Sequence, residues 1–412
     1  MKKRLAIALI AAAIAASGSA FAADGTSSSP NEKPPTEQVD PIETPAGADI
    51  SSISFANIEE SMRNNNPRML AIEENMAQLD DFDREKAYND LLDLHNSMTD
   101  AIWAMLQNPQ TAGTASSMLQ QQQSIRDQME MLKEDEYAIT YEDQKRQIES
   151  GMDQMVYMGE SLYLQVLGLE QSLADGQRGL AALDRQLAQA EKSYSLGQLS
   201  EIELLNLKNT RATTASSLET LSYNITTCKL NLQSLLGAEP TGDLTLAPLP
   251  AITGADINAL NPTEDLGRGM EANLSIYQAK RTADDAKEAL DDATFTVGYE
   301  RKRLEHTYQS AQYSYQAACL DFKLQFNTLY TTLGEKQRLV SVEQNSLDVA
   351  KRNFEVSKLQ YERGLISESD YLDAQDTLAQ AQSAVDSAFL AFFTTYNQYQ
   401  WAARGLIVSS AA

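Results

Sequence analysis

A short pattern that occurs twice is the feature of this sequence that most constrains its fold. Glycine can end a helix in the left-handed conformation, and a serine followed three residues later by a carboxylate forms a capping box that starts the next helix. Each copy of the pattern therefore predicts a tight bend between two helices. The copies are Tyr194-x-x-Gly197-x-x-Ser200-x-x-Glu203 and Tyr361-x-x-Gly364-x-x-Ser367-x-x-Asp370. The predicted helix caps are Ser200, Glu203, Ser367 and Asp370.

Apolar heptads lie on both sides of each bend, with spacings that alternate between four and three, as in the seam of a supercoiled helix. The first repeat has its seam at Leu162, Val166, Leu169, Leu173, Gly176, Leu180, Leu183, Leu187, Ala190 and Tyr194, then at Leu218, Leu221, Ile225, Cys228, Leu232 and Leu235. The second has Ala311, Tyr315, Ala318, Phe322, Gln325, Leu329, Leu347, Ala350, Phe354, Ser357 and Tyr361, then Leu378, Ala381, Val385, Ala388, Phe392, Tyr396, Tyr399 and Ala403. The predicted fold is mainly α-helical, with long coiled-coil hairpins in tandem.

The other segments set the domain organisation. Basic residues, an apolar run and Ala20-Phe21-Ala22 make residues 1–22 a predicted signal peptide. The Ser-, Thr- and Pro-rich residues 23–50 are a predicted flexible linker. The first helical repeat is expected at 51–237, the connector at 238–263 and the second repeat at 264–405. Within these, helix is predicted from near Ser51 to about Gln107, at about 114–133 and at 264–292, and short strand-like alternations at 243–246 and 294–299.

Composition excludes several classes of function. A net charge of −25 argues against binding of nucleic acid and against adhesion to anionic lipid.

The cysteines and histidines give no sign of a reactive site. Cys228 is predicted to lie on a helix seam as a small core residue, and a disulfide between Cys228 and Cys319 is neither predicted nor excluded. His95 and His306 are each expected to stand alone on a helix surface. Because no catalytic triad, phosphate loop or metal-ligand spacing is visible, we expect no enzyme activity, no cofactor and no metal.

The second bend carries a resemblance to a known family. Tyr361-Glu-Arg-Gly364-Leu-Ile-Ser367-Glu-Ser-Asp370-Tyr-Leu-Asp373 closely resembles the second-repeat signature of TolC-type outer-membrane efflux proteins, and Tyr194 to Leu207 resembles the first-repeat unit. Asn66-Pro67 resembles the asparagine–proline pair near the start of that family's repeat. Asn273 holds the corresponding place in the second half, with Leu274 instead of proline.

This resemblance implies a homotrimer that acts as a passive conduit in an efflux or secretion system. Its helical tip would dock to a periplasmic adaptor protein that is driven by an inner-membrane pump. The protein would be exported to the outer membrane or to the periplasm. The tip contacts would be Leu196, Gly197, Leu199, Gly364, Leu365 and Ile366, and the entrance constriction would be formed by Asp370 and Asp373.

Two of the predicted site residues have a second interpretation, and one feature of the sequence departs from the TolC-type pattern. Capping alone also explains Asp370, and a solvated helix face also explains Asp373. The sequence shows few residues with strand alternation, so we expect a TolC-like α-barrel protomer whose β-barrel strands are reduced or absent. The alternative function is an extracytoplasmic coiled-coil scaffold protein that has lost the membrane barrel.

Overall fold

The computed structural model describes residues 49–107, 115–293 and 298–408. The predicted signal peptide, nearly all of the predicted linker, and residues 294–297 of the second strand-like alternation lie outside the described residues. The elements in chain order are β1 (Ser52–Ile53), a single 3-10 turn (Phe55–Asn57), α1 (Ile58–Asn65), α2 (Pro67–Asp80), α3 (Arg84–Leu106), α4 (Ala115–Met131), α5 (Glu134–Ser195), α6 (Glu201–Leu235), β2 (Thr245–Leu246), α7 (Gly254–Asn258), α8 (Pro262–Ala272), α9 (Leu274–Asp292), α10 (Tyr299–Glu362) and α11 (Glu368–Ala403). The predicted fold class, helical hairpins in tandem, is confirmed.

The chain divides into two compact units. Among the described residues, the first unit comprises 67–149 and the second comprises 49–66 and 150–408. In the first unit, α3 and α4 pack against each other, and Arg84 Nη1 donates a hydrogen bond of 2.9 Å to the carbonyl of Leu132. Tyr141 also donates its hydroxyl to Asp80 Oδ1 at 2.5 Å.

The second unit contains both long hairpins: the first is formed by α6 and the part of α5 from residue 150 onward, and the second by α10 and α11. Its aromatic core lies near the C-terminal end of α11, where Phe326 of α10 and Tyr399 of α11 are fully buried with ring centroids 5.1 Å apart. Tyr399 donates its hydroxyl to the buried Asp265 at 2.7 Å. Burial and this hydrogen bond raise the pKa of Tyr399 above its usual range. The hairpins are thus fixed at their far ends by a well-packed base.

The two repeats close in the same way at this base. Gly237 ends α6 with φ +70°, and Gly405 follows α11 with φ +96°. Asn66 donates from Nδ2 to the carbonyl of Leu235 at 2.6 Å, and Asn273 donates from Nδ2 to the carbonyl of Gly405 at 2.8 Å. Both asparagines therefore join the start of a repeat to the end of the same repeat.

Asn273 also breaks a helix that the sequence analysis predicted as continuous. Its backbone is extended, its side-chain oxygen accepts from Ile276 N at 2.9 Å, and it separates α8 from α9. The side chain caps α9 through its oxygen and binds the carbonyl of Gly405 through its nitrogen, because an amide has both an acceptor and a donor. A second predicted helix is interrupted before Arg84, where Asp83 accepts from Lys86 N at 2.9 Å.

Other predictions on local structure were partly wrong. The chain is extended and not helical at Ser52–Ile53, because β1 pairs in parallel with β2, the latter within the predicted strand. The predicted connector contains the short helix α7. His95 does not stand alone, since its Nε2 lies 3.4 Å from an Arg126 guanidinium nitrogen. Cys228 and Cys319 are free thiols, so the bridge that was left open is not present.

The predicted seams describe the hairpins well, with an error in α10. The α5 and α6 seam residues are buried or half-buried, apart from Tyr194, which lies exposed at the bend. In α10 Gln325 is exposed and Phe326 is buried in its place. The spacing from Ala318 through Phe322 to Phe326 is two successive steps of four. Such a stutter corrects the drift between a strict heptad and a helix of 3.6 residues per turn.

Candidate functional site

The bend between α5 and α6, residues 193–203, forms the first tip of the second unit. Gly197 has φ +70°, and its amide bonds to the carbonyl of Tyr194 at 2.9 Å while Gln198 N bonds to the carbonyl of Ser193 at 2.9 Å. This pair of bonds is a Schellman motif, which satisfies the last carbonyls of α5. A Cβ on Gly197 would meet nothing within 4 Å, so the glycine is needed for its φ alone.

A capping box starts α6 directly after that glycine. Glu203 N donates to Ser200 Oγ at 3.2 Å, and Ser200 N donates to Glu203 Oε2 at 3.0 Å. The hydrogen bonds from the Ser200 side chain and backbone lower the pKa of the Glu203 carboxyl below its usual range. The carboxylate is therefore held at the positive end of the helix dipole, where negative charge is favourable.

The bend between α10 and α11, residues 360–370, forms the second tip with the same geometry. Gly364 has φ +71°, and Schellman bonds of 2.8 Å run from Gly364 N to the Tyr361 carbonyl and from Leu365 N to the Gln360 carbonyl. Asp370 N donates to Ser367 Oγ at 3.2 Å, and Ser367 N donates to Asp370 Oδ2 at 3.1 Å. Two distant parts of the chain thus build one structure twice.

Apolar side chains are presented to solvent at both tips. Leu196 is 64% exposed and Leu365 is 69% exposed, whereas Leu199 and Ile366 are half-buried beside them. Ile202, in the first turn of α6, is 71% exposed and was not singled out from the sequence. The sequence could have predicted this exposure. Ile202 lies two positions before the buried Leu204, and residues two apart face different sides of a helix. The exposed leucine gives each bend an apolar surface that can receive another apolar surface.

The two aspartates of the predicted entrance constriction have different surroundings. Asp370 is engaged in its capping box, and the hydrogen bond from the Ser367 side chain is the main reason that the pKa of its carboxyl is lowered. Asp373 lies one turn further along α11 with an exposed side chain. Capping therefore accounts for Asp370 within one chain, whereas no contact within the chain accounts for Asp373 among the described residues.

Polar contacts join the first hairpin to the second behind the tips. Arg185 of α5 pairs with Asp376 of α11, and both side chains are about two-thirds buried. Gln171 of α5 donates to the carbonyl of Ser383 at 2.7 Å and to Ser387 Oγ at 2.8 Å. These contacts were missed from the sequence, because nothing in a single sequence pairs residues so far apart.

A buried carboxylate lies on the same interface, near the base of the second unit. Glu160 of α5 accepts hydrogen bonds from Asn397 Nδ2 at 2.8 Å and from Trp401 Nε1 at 2.6 Å, both on α11. Burial raises the pKa of the Glu160 carboxyl above its usual value, although the two hydrogen bonds oppose that shift. Within the described ranges, no group of three or more His, Cys, Asp or Glu residues could hold a metal ion.

No protein-family model and no curated protein matches the chain. Solved structures that are similar to it include the outer membrane protein VceC from Vibrio cholerae, with 13% identity over 86% of this chain and 97% of that one and a TM-score of 0.49. They also include the CmeC outer membrane channel of Campylobacter jejuni, with 13% identity over 70% and 69% of the two chains and a TM-score of 0.47. A membrane protein from Pseudomonas aeruginosa has 11% identity over 92% and 97%, with a TM-score of 0.49.

Among the residues that the structure describes, no helix is both long and apolar enough to span a membrane.

Proposed function

We propose that this protein is the TolC-like outer component of an efflux or secretion system. It would be a passive conduit of three identical chains whose tips dock to a periplasmic adaptor protein that is coupled to an inner-membrane pump. The observation that carries this proposal is the matched pair of tips at Gly197 and Gly364. A rigid bend that is built twice, each time with an exposed leucine, supports docking to a partner that offers repeated sites.

The dimensions of the hairpins support a tube rather than a globular module. α5 has 62 residues and α10 has 64. At 1.5 Å per residue they are roughly 90 to 100 Å long. The return helices α6 and α11 have 35 and 36 residues, so the paired part of each hairpin is roughly 53 Å long. Two-helix hairpins are too narrow to bury both faces within one chain, so their remaining apolar faces need further hairpins.

One such face is visible on α10 as a row of exposed valines. Val342, Val349 and Val356 repeat every seven residues and are each more than half exposed. A heptad row on the outside of a hairpin is the pattern by which one helix packs against another. A second copy of the chain would cover this row in a trimer.

In such a trimer Asp373 would lie near the narrow end of the tube. Three carboxylates at one constriction would repel anions and favour cations. The exposed side chain of Asp373 within the single chain fits this role, and Asp370 would contribute to the same ring while it caps α11.

The oligomeric state of the chain without residues 1–22 tests the proposal, measured by native mass spectrometry and by light scattering in detergent. We expect a trimer. Val349→Asp should yield monomers, whereas Gln344→Glu adds the same charge at an exposed position on the other side of α10 and should leave the trimer intact. A wild-type monomer would contradict the conduit and leave the scaffold function. If Val349→Asp still forms a trimer, the valine row is not part of the interface between chains.

A further inference from the structure

The α3–α4 helix pair of the first unit ends in a region without charge. From Ala101 to Ile125 the sequence contains no Asp, Glu, Lys or Arg, in a chain of which 22% of residues are charged. Within the described part of this run, the last turns of α3 and the first turns of α4 carry only apolar and neutral polar side chains. This end of the pair, residues 101–107 and 115–125, is called the neutral end below.

Large apolar side chains are exposed on the neutral end. Trp103 is 63% exposed, Leu106 50% and Leu119 47%. Trp103 and Leu106 lie in the last turns of α3, and Leu119 lies in the second turn of α4. Their exposure is not a sign of a loose structure, because neighbouring side chains of the same helices are buried.

The pair is held together just behind these side chains. Met98 and Ile102 of α3 and Ile125 of α4 are buried. The buried Gln122 donates to Thr99 Oγ1 at 2.5 Å, which fixes α4 against α3. The pairing of Gln122 with Thr99 also sets the register, which brings Leu119 to the level of the last turns of α3. Trp103, Leu106 and Leu119 are therefore exposed on one rigid end.

We propose that the neutral end binds a lipid bilayer by inserting into its interfacial region. Tryptophan favours the membrane–water interface, where its ring is apolar and its N–H finds a partner. Apolar surfaces that bind in the interface are buried about 5–10 Å into the headgroup and acyl boundary. Asp100 is the charged residue of α3 nearest to the end, and Leu106 lies six positions further along, which corresponds to about 9 Å of helix. The uncharged part of α3 therefore matches the depth of the interface.

The absence of charge favours lipid over a protein partner as the occupant. Insertion into lipid requires that charge be absent, because a charged side chain within the bilayer is costly, whereas a protein partner sets no such requirement. The overall charge of −25 also makes an anionic membrane surface unfavourable. The expected target is a neutral bilayer, bound through apolar contact and not through electrostatic attraction. The proposal does not rest on the conduit, since a single chain carries the complete surface.

Quenching of tryptophan fluorescence by brominated lipid tests the proposal. The chain has two tryptophans, Trp103 and the nearly buried Trp401, so Trp401 is an internal reference. With phosphatidylcholine vesicles brominated near the top of the acyl chains, we expect quenching of Trp103 and none of Trp401. Trp103→Phe should abolish the quenching. Binding should be unchanged at high salt and no stronger when phosphatidylglycerol is added.

Two charge variants separate insertion from a general effect of charge. Leu106→Asp should weaken partitioning at least about tenfold, because a large apolar contact is replaced by a charge. Asn96→Asp adds the same charge at an exposed position of α3, about 15 Å from Leu106, and should bind like the wild type. Circular dichroism confirms that both variants are folded.

Absence of vesicle binding by the wild type would overturn the proposal, as would wild-type binding by Leu106→Asp. If vesicles do not bind and Trp103 becomes protected from aqueous iodide as protein concentration rises, the surface belongs to a second copy of the chain. A monomer that binds vesicles would support lipid binding and contradict the conduit, so the two proposals fail independently.

Discussion

Gly197 and Gly364 have the same backbone conformation, with φ of +70° and +71°, although they belong to different repeats. Each is followed three residues later by a serine that caps the next helix, and the hydrogen-bond distances in the two capping boxes agree within 0.1 Å. The two tips therefore have the same local structure, and a substitution in one tip leaves the residues of the other unchanged.

Replacement of the tip glycine should cost the free energy of a left-handed residue and little else. Gly364→Ala should lower the free energy of unfolding by about 1–2 kcal/mol, because Cβ meets no neighbour and only φ is unfavourable. Gly364→Val should cost more, since β-branching adds strain at positive φ, and it should weaken adaptor binding. Thermal unfolding measures the first effect.

Two other glycines provide controls for this prediction. Gly334→Ala, in the interior of α10, should stabilise the protein by about 0.5–1 kcal/mol, because its Cβ would make only an ordinary contact of 4.0 Å with Arg338 Nη2. Gly237→Ala should destabilise more than Gly364→Ala, because its Cβ would lie 2.0 Å from the Asn65 carbonyl oxygen. Equal effects at Gly237 and Gly364 would show that the tip is more constrained than its geometry indicates.

The capping boxes should weaken in acid. The pKa values of Glu203 and Asp370 are lowered in the folded state, so their contribution is present above the unfolded pKa and is lost as pH falls through the folded pKa. Below about pH 4 the amides in the first turns of α6 and α11 should lose protection, measured as their exchange relative to the intrinsic rate at the same pH. Ser367→Ala should raise exchange roughly fivefold at neutral pH in α11 only, the factor expected for one lost cap. Equal acceleration in α6 would contradict the independence of the two tips.

The pH dependence at Glu160 should have the opposite sign. Because burial raises the pKa of this carboxyl, its favourable contribution is complete below the pKa of a glutamate in the unfolded chain and is lost as pH rises through the folded pKa. Glu160→Gln should remove this loss and leave stability at pH 7 unchanged or higher. Glu160→Ala should cost about 2–4 kcal/mol, since Asn397 and Trp401 lose a buried acceptor. Destabilisation by Glu160→Gln at pH 7 equal to that of Glu160→Ala would show that the charge itself is required.

The sequence indicated the hairpins because their signals are local. A glycine and a capping serine define each bend within a few residues, and the heptad seam of α5 needs no partner to be seen. The break at Asn273 was missed because its cause is distant: the side chain is held by the carbonyl of Gly405. The position of Gly405 in space cannot be known from residues near Asn273.

The site was predictable to a similar extent. The tip leucines and caps follow from the repeat, whereas the pairing of Arg185 with Asp376 depends on how two hairpins pack. The exposed Trp103 gives no periodic signal, and it stands out only after the burial of Met98 and Ile102 shows which face of α3 is covered.

Replacement of Asp373 tests its place at the entrance. If the trimer conducts in a planar bilayer, Asp373→Asn should reduce selectivity for cations and weaken block by divalent cations, because three carboxylates leave the constriction together. Asp386→Asn, on the same helix more than three turns away, should leave the current unchanged. An unaltered current in Asp373→Asn would remove this residue from the entrance.

Electron microscopy of residues 23–412, purified with and without detergent, tests the conduit most directly. We predict threefold-symmetric helical tubes that carry the bends at Gly197 and Gly364 together at one end. Isolated single rods in both preparations would contradict the conduit and assign the chain to an extracytoplasmic scaffold.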